Sequence, residues 1–438
     1  MRWLQWFCVS LAIITPQGAA RADELMRHYR NALAYDAQFS AARALSQARD
    51  EEPALALSAL LPSISLDAQV NWSQAWSQTA DASLKHRRQT NSYGVQLRQP
   101  VFRWQSWVQY QQGQQQQALG RLQLGVAAQA LIVRVAKAYF DVLSANEVLG
   151  VLSRQREVDA EQLAGAKKQF ELGGVSIADV HEARASFDLV SARLVAARSA
   201  LGLACHELSR ITGVPVGALR GGASRLGPVR LLPAEADVWV VSAMRNSLEV
   251  QVQEVLVAVA KYEVQSRKAE HLPSVDLVAS KNVQQAPNAG IERGGAANIG
   301  LRMSMPLYAG GGTSAGVRKA KALAARAEYE LEDARRAAAS LAREAWAGVI
   351  DGNEQVRALE AAKISAESAL AANQLGYKVG VRTGRDVLEM QSQYSETLQR
   401  LSSARFGTLL AQLRLKAAVG ALSEADLAEV SGLLFQKT

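Results

Sequence analysis

The side chains that could carry out chemistry in this sequence are few and scattered. The five histidines show neither an HExxH motif nor paired ligand spacing, so no metal site is expected; they lie at positions 28, 86, 181, 206 and 271. The run Gly310-Gly311-Gly312-Thr313 has the glycine content of a phosphate-binding loop, but no lysine follows it in the required place. We therefore predict no catalytic residue and no cofactor, and we expect that the protein is not an enzyme.

Two carboxylates near the end of the chain form the most suggestive pair of charged residues. Asp386 and Glu389 are three positions apart, so on a helix they share one face. Such a face could attract cations. It could equally be a solvated acidic surface balanced by Arg382 and Arg385.

The N-terminus has the pattern of a signal peptide over residues 1–22. Arg2 precedes a short apolar run, and small residues end at Ala22, so we expect cleavage there and export of the mature chain. Removal of Cys8 leaves Cys205 as a lone thiol, which we expect to be a small buried hydrophobe. The formal charge of +8 falls to +6 when Arg2 and Arg21 leave, and the basic residues are spread along helices, so no nucleic acid is expected as a partner.

Two long stretches of the chain contain no proline, residues 101–214 and 307–438. Both are rich in helix formers, with apolar residues recurring every three or four positions. One such stripe predicts a buried helix face; it consists of Leu131, Val135, Ala138, Tyr139 and Val142. At about 1.5 Å per residue, a helix of roughly 65 residues reaches on the order of 100 Å, which indicates a coiled-coil tube rather than a globular domain.

Four other segments alternate apolar and polar residues, which is typical of strands with two different faces. They begin near Ile64, Tyr93, Val275 and Ile299. Each has about the length that crosses a bilayer as a tilted strand, with an apolar face for lipid and a polar face for a water-filled lumen. Four strands cannot close a barrel, so several chains must contribute; two copies would give eight strands and three would give twelve.

The chain also contains a tandem duplication. Leu61-Pro62-Ser63-Ile64 recurs as Leu272-Pro273-Ser274-Val275, and the glycines Gly173 and Gly213 recur as Gly380 and Gly420 at a shift of 207 positions. The predicted organisation is a signal peptide at 1–22, a first repeat at 23–212, a linker or equatorial region at 213–236, and a second repeat at 237–438. Each repeat would hold a helix, two strands and a long helical hairpin.

These features together resemble the TolC-type outer-membrane efflux and secretion channels over essentially the whole mature chain. The residues that carry the resemblance are Gly376-Tyr377-Lys378-Val379-Gly380-Val381-Arg382-Thr383, Asp386-Val387-Leu388 and Pro306-Leu307-Tyr308-Ala309-Gly310-Gly311. The resemblance implies a mainly α protein with a membrane β-barrel, in which a homotrimer closes a twelve-stranded barrel in outer-membrane lipid above a long α-helical barrel in the periplasm.

The same resemblance implies partners and a gate. The partners would be a periplasmic adaptor, also called a membrane fusion protein, and an inner-membrane ABC or proton-driven transporter. Closure of the periplasmic end would use Tyr377 and Arg382 with Asp179 as a partner, and Asp386 and Glu389 would line the narrowest point as six carboxylates in the trimer.

Adaptor docking in the family uses the tips of both helical hairpins. Here these tips are Gly173, Gly174, Val175 and Ser176 in the first repeat and Val379, Gly380 and Val381 in the second. Both tips can also be interpreted simply as turns in which glycine permits a left-handed cap.

Two further alternatives stay open. The protein could be a periplasmic coiled-coil scaffold without a pore. The basic run Lys85-His86-Arg87-Arg88, expected in the first hairpin loop, could contact lipopolysaccharide phosphates or be a solvated loop. The cargo is not indicated, because a duct selects little.

Overall fold

The structure is a computed structural model that describes residues 24–79, 82–217, 219, 227–286 and 291–435. The predicted signal peptide, residues 1–22, lies outside the described residues, and so does part of the predicted linker. The described chain contains ten helices and four strands. In chain order they are α1 Glu24–Tyr35, α2 Ala37–Asp50, α3 Glu52–Ser58, β1 Ser63–Thr79, β2 Ala82–Phe102, α4 Trp104–Glu171, α5 Ile177–Thr212, α6 Ala236–Asn246, α7 Leu248–Ala269, β3 Ser274–Ala286, β4 Ile291–Ser304, α8 Gly312–Lys378, α9 Gly384–Ala418 and α10 Glu424–Phe435.

The two proline-free stretches fold into the long helices that the sequence predicts. Helices α4 and α8 contain 68 and 67 residues, and each is followed by a helix of about half that length, α5 with 36 and α9 with 35 residues. Pro53 lies in the first turn of α3, where its missing N–H removes no hydrogen bond.

The described residues divide into two compact units. The first unit is built from the described parts of Met1–Ala42, Leu124–Leu248 and Arg335–Thr438, and the second from those of Arg43–Gln123 and Glu249–Ala334. Helices α4 and α8 contribute to both units. Neither unit is continuous in sequence, because each takes segments from both predicted repeats.

The core of the first unit forms around the apolar stripe of α4. All five residues of the predicted stripe are buried, with Leu131, Val135, Tyr139 and Val142 completely inaccessible. Leu25 and Tyr29 of α1 belong to the same core, as do Leu409 and Leu413 of α9. Phe140 of α4 stacks on Phe406 of α9 with ring centroids 5.6 Å apart. Cys205 is half-buried and packs against this core, where burial raises the pKa of its thiol.

The second unit contains the four strands as one antiparallel sheet in the order β1-β2-β3-β4. The strands are longer than the sequence predicted, and β1 and β2 pair continuously from Ser63 with Arg98 to Thr79 with Ala82. The prediction that Lys85-His86-Arg87-Arg88 lies in a hairpin loop is wrong, because these residues belong to β2. The backbone ladder continues past the point where the apolar alternation stops.

The two faces of this sheet differ in chemistry. One face carries large apolar side chains that are mostly exposed within the chain, including Ile64, Leu66 and Trp72 on β1 and Ile299, Leu301 and Met303 on β4. Directly opposite residues share a face, so the register places Val95 and Leu97 of β2 on it as well. The other face carries Ser, Gln, Asn, Asp and Arg side chains. The alternation predicted from the sequence is therefore confirmed.

Among the residues described, no helix combines the length and the apolarity needed to cross a membrane.

Candidate functional site

The tips of the two helical hairpins have the same backbone construction, and both belong to the first unit. In the α4–α5 turn, the N–H groups of Gly173 and Gly174 donate to the last carbonyls of α4 at 2.9 and 2.8 Å. In the α8–α9 turn, Gly380 and Val381 donate in the equivalent way at 3.1 and 2.8 Å. Gly173 has φ 72° and Gly380 has φ 80°, conformations that side-chain-bearing residues rarely adopt.

Each tip continues into a helix that begins with a capping box. The Ser176 hydroxyl accepts from the Asp179 N–H at 3.3 Å, and the Asp179 carboxylate accepts from the Ser176 N–H at 2.8 Å. Thr383 and Asp386 make the same reciprocal pair at 3.3 and 3.0 Å. Two of the three carboxylates predicted for the gate, Asp179 and Asp386, thus also hold the first turn of a helix.

The hydrogen bonds of the caps also shift the acidity of these carboxylates. Bonds from Ser176 lower the pKa of Asp179 below 3.8. Bonds from the Thr383 backbone and side chain lower the pKa of Asp386 in the same direction, with smaller contributions from Arg382 and Arg385. Both groups are therefore ionised at neutral pH.

A groove of about 670 Å³ lies between the two tips. Asp179, Tyr377 and Arg382, which were predicted to close the periplasmic end and are called the lock from here on, all line it. Four residues of the docking prediction line it as well: Gly174, Val175, Ser176 and Gly380. Glu389 is exposed and is absent from the groove lining. Three of the five predicted gate residues therefore line one groove. Asp386 does not line it but is hydrogen-bonded to Thr383, which does.

The contacts made by these residues within the chain differ from the expected lock. The Tyr377 hydroxyl donates to Gln169 Oε1 at 3.0 Å rather than to Asp179. Arg385 lies 3.8 Å from the Glu182 carboxylate, which is the second polar link between the hairpins at this end. Gln169 was not predicted, because nothing in its local sequence indicates a partner 208 positions away.

A second residue that the sequence did not indicate lies further along the first hairpin. Asp159 of α4 is completely inaccessible, and its Oδ2 accepts a hydrogen bond from the Ser186 hydroxyl of α5 at 2.8 Å. Its Oδ1 has no hydrogen-bond partner in the part of the chain that the structure describes. Burial raises the pKa of this carboxyl group.

Searches for similar proteins give a consistent result. The family model described as "Outer membrane efflux protein" matches residues 28–214 and 239–421. Outer membrane protein TolC of Vibrio cholerae is 30% identical over 428 residues, with 97% of this chain and 96% of the relative covered. The alkaline protease secretion protein AprF of Pseudomonas aeruginosa is also 30% identical, with 98% and 90% covered.

Solved structures show the same fold at lower sequence identity. The CmeC outer membrane channel of Campylobacter jejuni superposes with a TM-score of 0.80 at 15% identity, covering 94% of this chain and 89% of that one. CusC superposes with a TM-score of 0.79 at 16% identity, covering 93% and 95%. The family and these structures are transport channels rather than enzymes. The chain belongs to the outer membrane efflux protein family and is a TolC-type outer-membrane channel for efflux or secretion, with its helical barrel in the periplasm.

Proposed function

We propose that the protein acts as a homotrimeric duct that is closed at its hairpin tips until a periplasmic adaptor and an inner-membrane transporter join it. No catalytic step is part of this function. The observation that carries the proposal is the four-stranded sheet with one exposed apolar face and one polar face.

The sheet supports trimerisation through its edges and its faces. Strands β1 and β4 are the edges of the sheet within one chain. Unpaired strand edges are not tolerated in lipid, so edge strands of neighbouring copies must pair with each other. Three copies give a closed barrel of twelve strands, with the apolar face against outer-membrane lipid and the polar face around a water-filled lumen.

The tips support a gate that can be opened. The polar links between the two hairpins at this end include the hydrogen bond of the half-buried Tyr377 to the exposed Gln169 and the exposed pair of Arg385 with Glu182. Such contacts contribute little individually, so a docking partner can replace them. In this proposal Tyr377 and Arg382 hold the closed state with Asp179, while Asp386 and Glu389 add negative charge to the ion path.

The tips also present the surface proposed for adaptor docking. Gly173, Gly174, Val175 and Ser176 lie in one turn, and Val379, Gly380 and Val381 in the other; Val379 and Val381 are exposed. A Cβ atom added at Gly173 or Gly380 would meet nothing within 4 Å in the chain. This space leaves room for a partner's backbone to approach both turns closely.

Extraction and conductance together test the proposed duct. The protein should need detergent for release from outer membranes, and the detergent-extracted particle should have the mass of three chains. In a planar bilayer it should form a small, cation-selective pore, and the double substitution Tyr377→Phe with Arg382→Ser should increase its resting conductance. Release by carbonate without detergent would support the periplasmic scaffold instead.

A matched control separates the lock from a general effect of removing a tyrosine hydroxyl. Tyr329 of α8 is 77% exposed and lies 48 positions before Tyr377. Tyr329→Phe should therefore leave the conductance at the parent value. A folded trimer whose conductance is identical in the parent and in the double variant would reject the proposed lock.

A further inference from the structure

Three arginines and one carboxylate lie at the end of the sheet that adjoins the helices. Asp276, near the start of β3, has a side chain that is only 4% exposed. Arg98 of β2 donates to its Oδ2 through Nε and Nη2 at 3.1 and 2.6 Å. Arg103, between β2 and α4, reaches both oxygens at 3.0 and 2.9 Å. The carboxylate is thus held by two guanidinium groups at once.

The third arginine is not neutralised in this cluster. Arg302 of β4 is the register partner of Asp276, and it makes no ion pair among the residues that the structure describes. The cluster therefore holds three positive charges and one negative charge, a net charge of +2. The next acidic residue on this face is Asp67 of β1, which pairs with Gly94, four residues beyond Arg98 on β2.

The cluster has access to solvent on the polar face of the sheet. The register places Arg98, Asp276 and Arg302 on the same face, away from the exposed apolar side chains. The side chain of Arg98 is 49% exposed and that of Arg103 is 30% exposed. Asp276 fixes these two guanidinium groups in position while their outer N–H groups stay accessible.

We propose that Arg98, Arg103 and Arg302, organised by Asp276, form an anion-binding ring at the helix-side end of the barrel lumen. This inference rests on the proposed trimer, in which the three clusters amount to a net charge of +6, or +3 if Asp67 is included in each copy. The ring takes carboxylate or phosphate groups of a passing cargo, because preorganised guanidinium groups match their oxygen atoms in pairs.

The ring also gives the duct two electrostatic zones of opposite sign. Asp386 and Glu389 at the tips repel anions, whereas the arginine ring attracts them.

Equilibrium binding of inorganic tripolyphosphate to the detergent-extracted trimer tests the ring directly. Isothermal titration at low salt should show binding by the parent. Arg302→Gln should weaken this binding by roughly three- to ten-fold, because it removes one charge-assisted contact per protomer without leaving Asp276 unpaired. The effect should shrink as the salt concentration rises.

Lys281 of β3 provides the matched control. It carries the same charge on the same sheet, but its register partner is Val95, so it lies on the apolar face. Lys281→Gln should leave tripolyphosphate binding within about two-fold of the parent, since its charge does not face the ring. The thermal midpoints of both variants are compared with that of the parent to establish that each is folded.

The outcomes separate the ring from the duct. If the parent does not bind tripolyphosphate, or if Arg302→Gln binds it as the parent does, the ring is rejected. Equal weakening by Arg302→Gln and Lys281→Gln would also reject it, since it would indicate an adventitious charge effect. If binding behaves as expected but the folded protein forms no pore, the proposed duct fails while the anion site stands.

Discussion

Two glycines in left-handed turns should respond very differently to the same substitution. Gly380 at the tip has φ 80° and Gly420, after α9, has φ 74°. An added Cβ would meet nothing within 4 Å at Gly380, but at Gly420 it would lie 2.3 Å from the carbonyl oxygen of Asn246. That oxygen belongs to the backbone, so it cannot rotate away as a flexible side chain could.

The expected loss of stability follows from these two environments. Left-handed backbone costs an L-residue roughly 1–2 kcal/mol, and this term applies to both positions. Inserting a methyl group against packed backbone adds about 1–3 kcal/mol at Gly420 alone. We therefore expect Gly380→Ala to destabilise the protein by about 1–2 kcal/mol and Gly420→Ala by about 2–5 kcal/mol.

The stabilities of the variants are ranked by their thermal midpoints of unfolding, which are measured by circular dichroism at one detergent concentration. Gly407 is an exposed glycine inside α9 with nothing within 4 Å of an added Cβ, and Gly407→Ala should match or exceed the parent. From highest to lowest, the expected order of thermal midpoints is Gly407→Ala, parent, Gly380→Ala and Gly420→Ala. Equal midpoints for the last two would refute the close approach of Asn246 to Gly420.

Three further predictions concern charges in the hairpins. Asp386→Gln keeps a capping side chain but removes the charge, so block of the pore by a trivalent cation should weaken. Thr383→Ala is the control and should leave this block unchanged. Equal block in the parent and in both variants would place Asp386 outside the ion path. Hydrogen bonds from Ser176 lower the pKa of Asp179 below 3.8. The stability that this ionised cap contributes is therefore present above pH 3.8 and is lost as the pH falls through the folded-state pKa. Protection of the tip amides from hydrogen exchange should fall only in that pH range. Burial raises the pKa of Asp159, so the α4–α5 hairpin should gain stability as the pH falls through that pKa toward 3.8, and Asp159→Asn should abolish the gain in hydrogen-exchange protection.

Much of the fold was predictable because it depends on periodicity. The helix stripe from Leu131 to Val142 and the strand alternation near Ile64 and Ile299 each repeat a pattern that burial or a two-faced sheet requires. The full length of the β1–β2 hairpin was not predictable, because residues 85–91 of β2 are polar at every position and so show no alternation. Cross-strand backbone hydrogen bonds hold this part of the hairpin, and because any residue type can form them, the sequence pattern does not reveal them.

The candidate site was predictable only where it depends on local geometry. A glycine followed by Ser176 or Thr383, with an acid three positions later, marks a turn and a helix start, and both occur where the repeat placed them. The partners Gln169 of Tyr377 and Arg98 of Asp276 are 208 and 178 positions away. Such pairs arise from tertiary packing, so no local pattern can indicate them.

The construction of the tips limits how the proposed gate can open. Each turn is held by backbone hydrogen bonds at its glycine and by a capping box on the following helix, so fraying one tip would break several bonds at once. The polar links between the two tips are weaker, because the hydrogen bond of Tyr377 to Gln169 and the pair of Arg385 with Glu182 are both accessible to solvent. Opening should therefore separate intact hairpins rather than unfold their ends. Hydrogen exchange at the tip amides should then stay slow in a Tyr377→Phe variant even when its conductance rises, and fast exchange there would show that the tips melt instead.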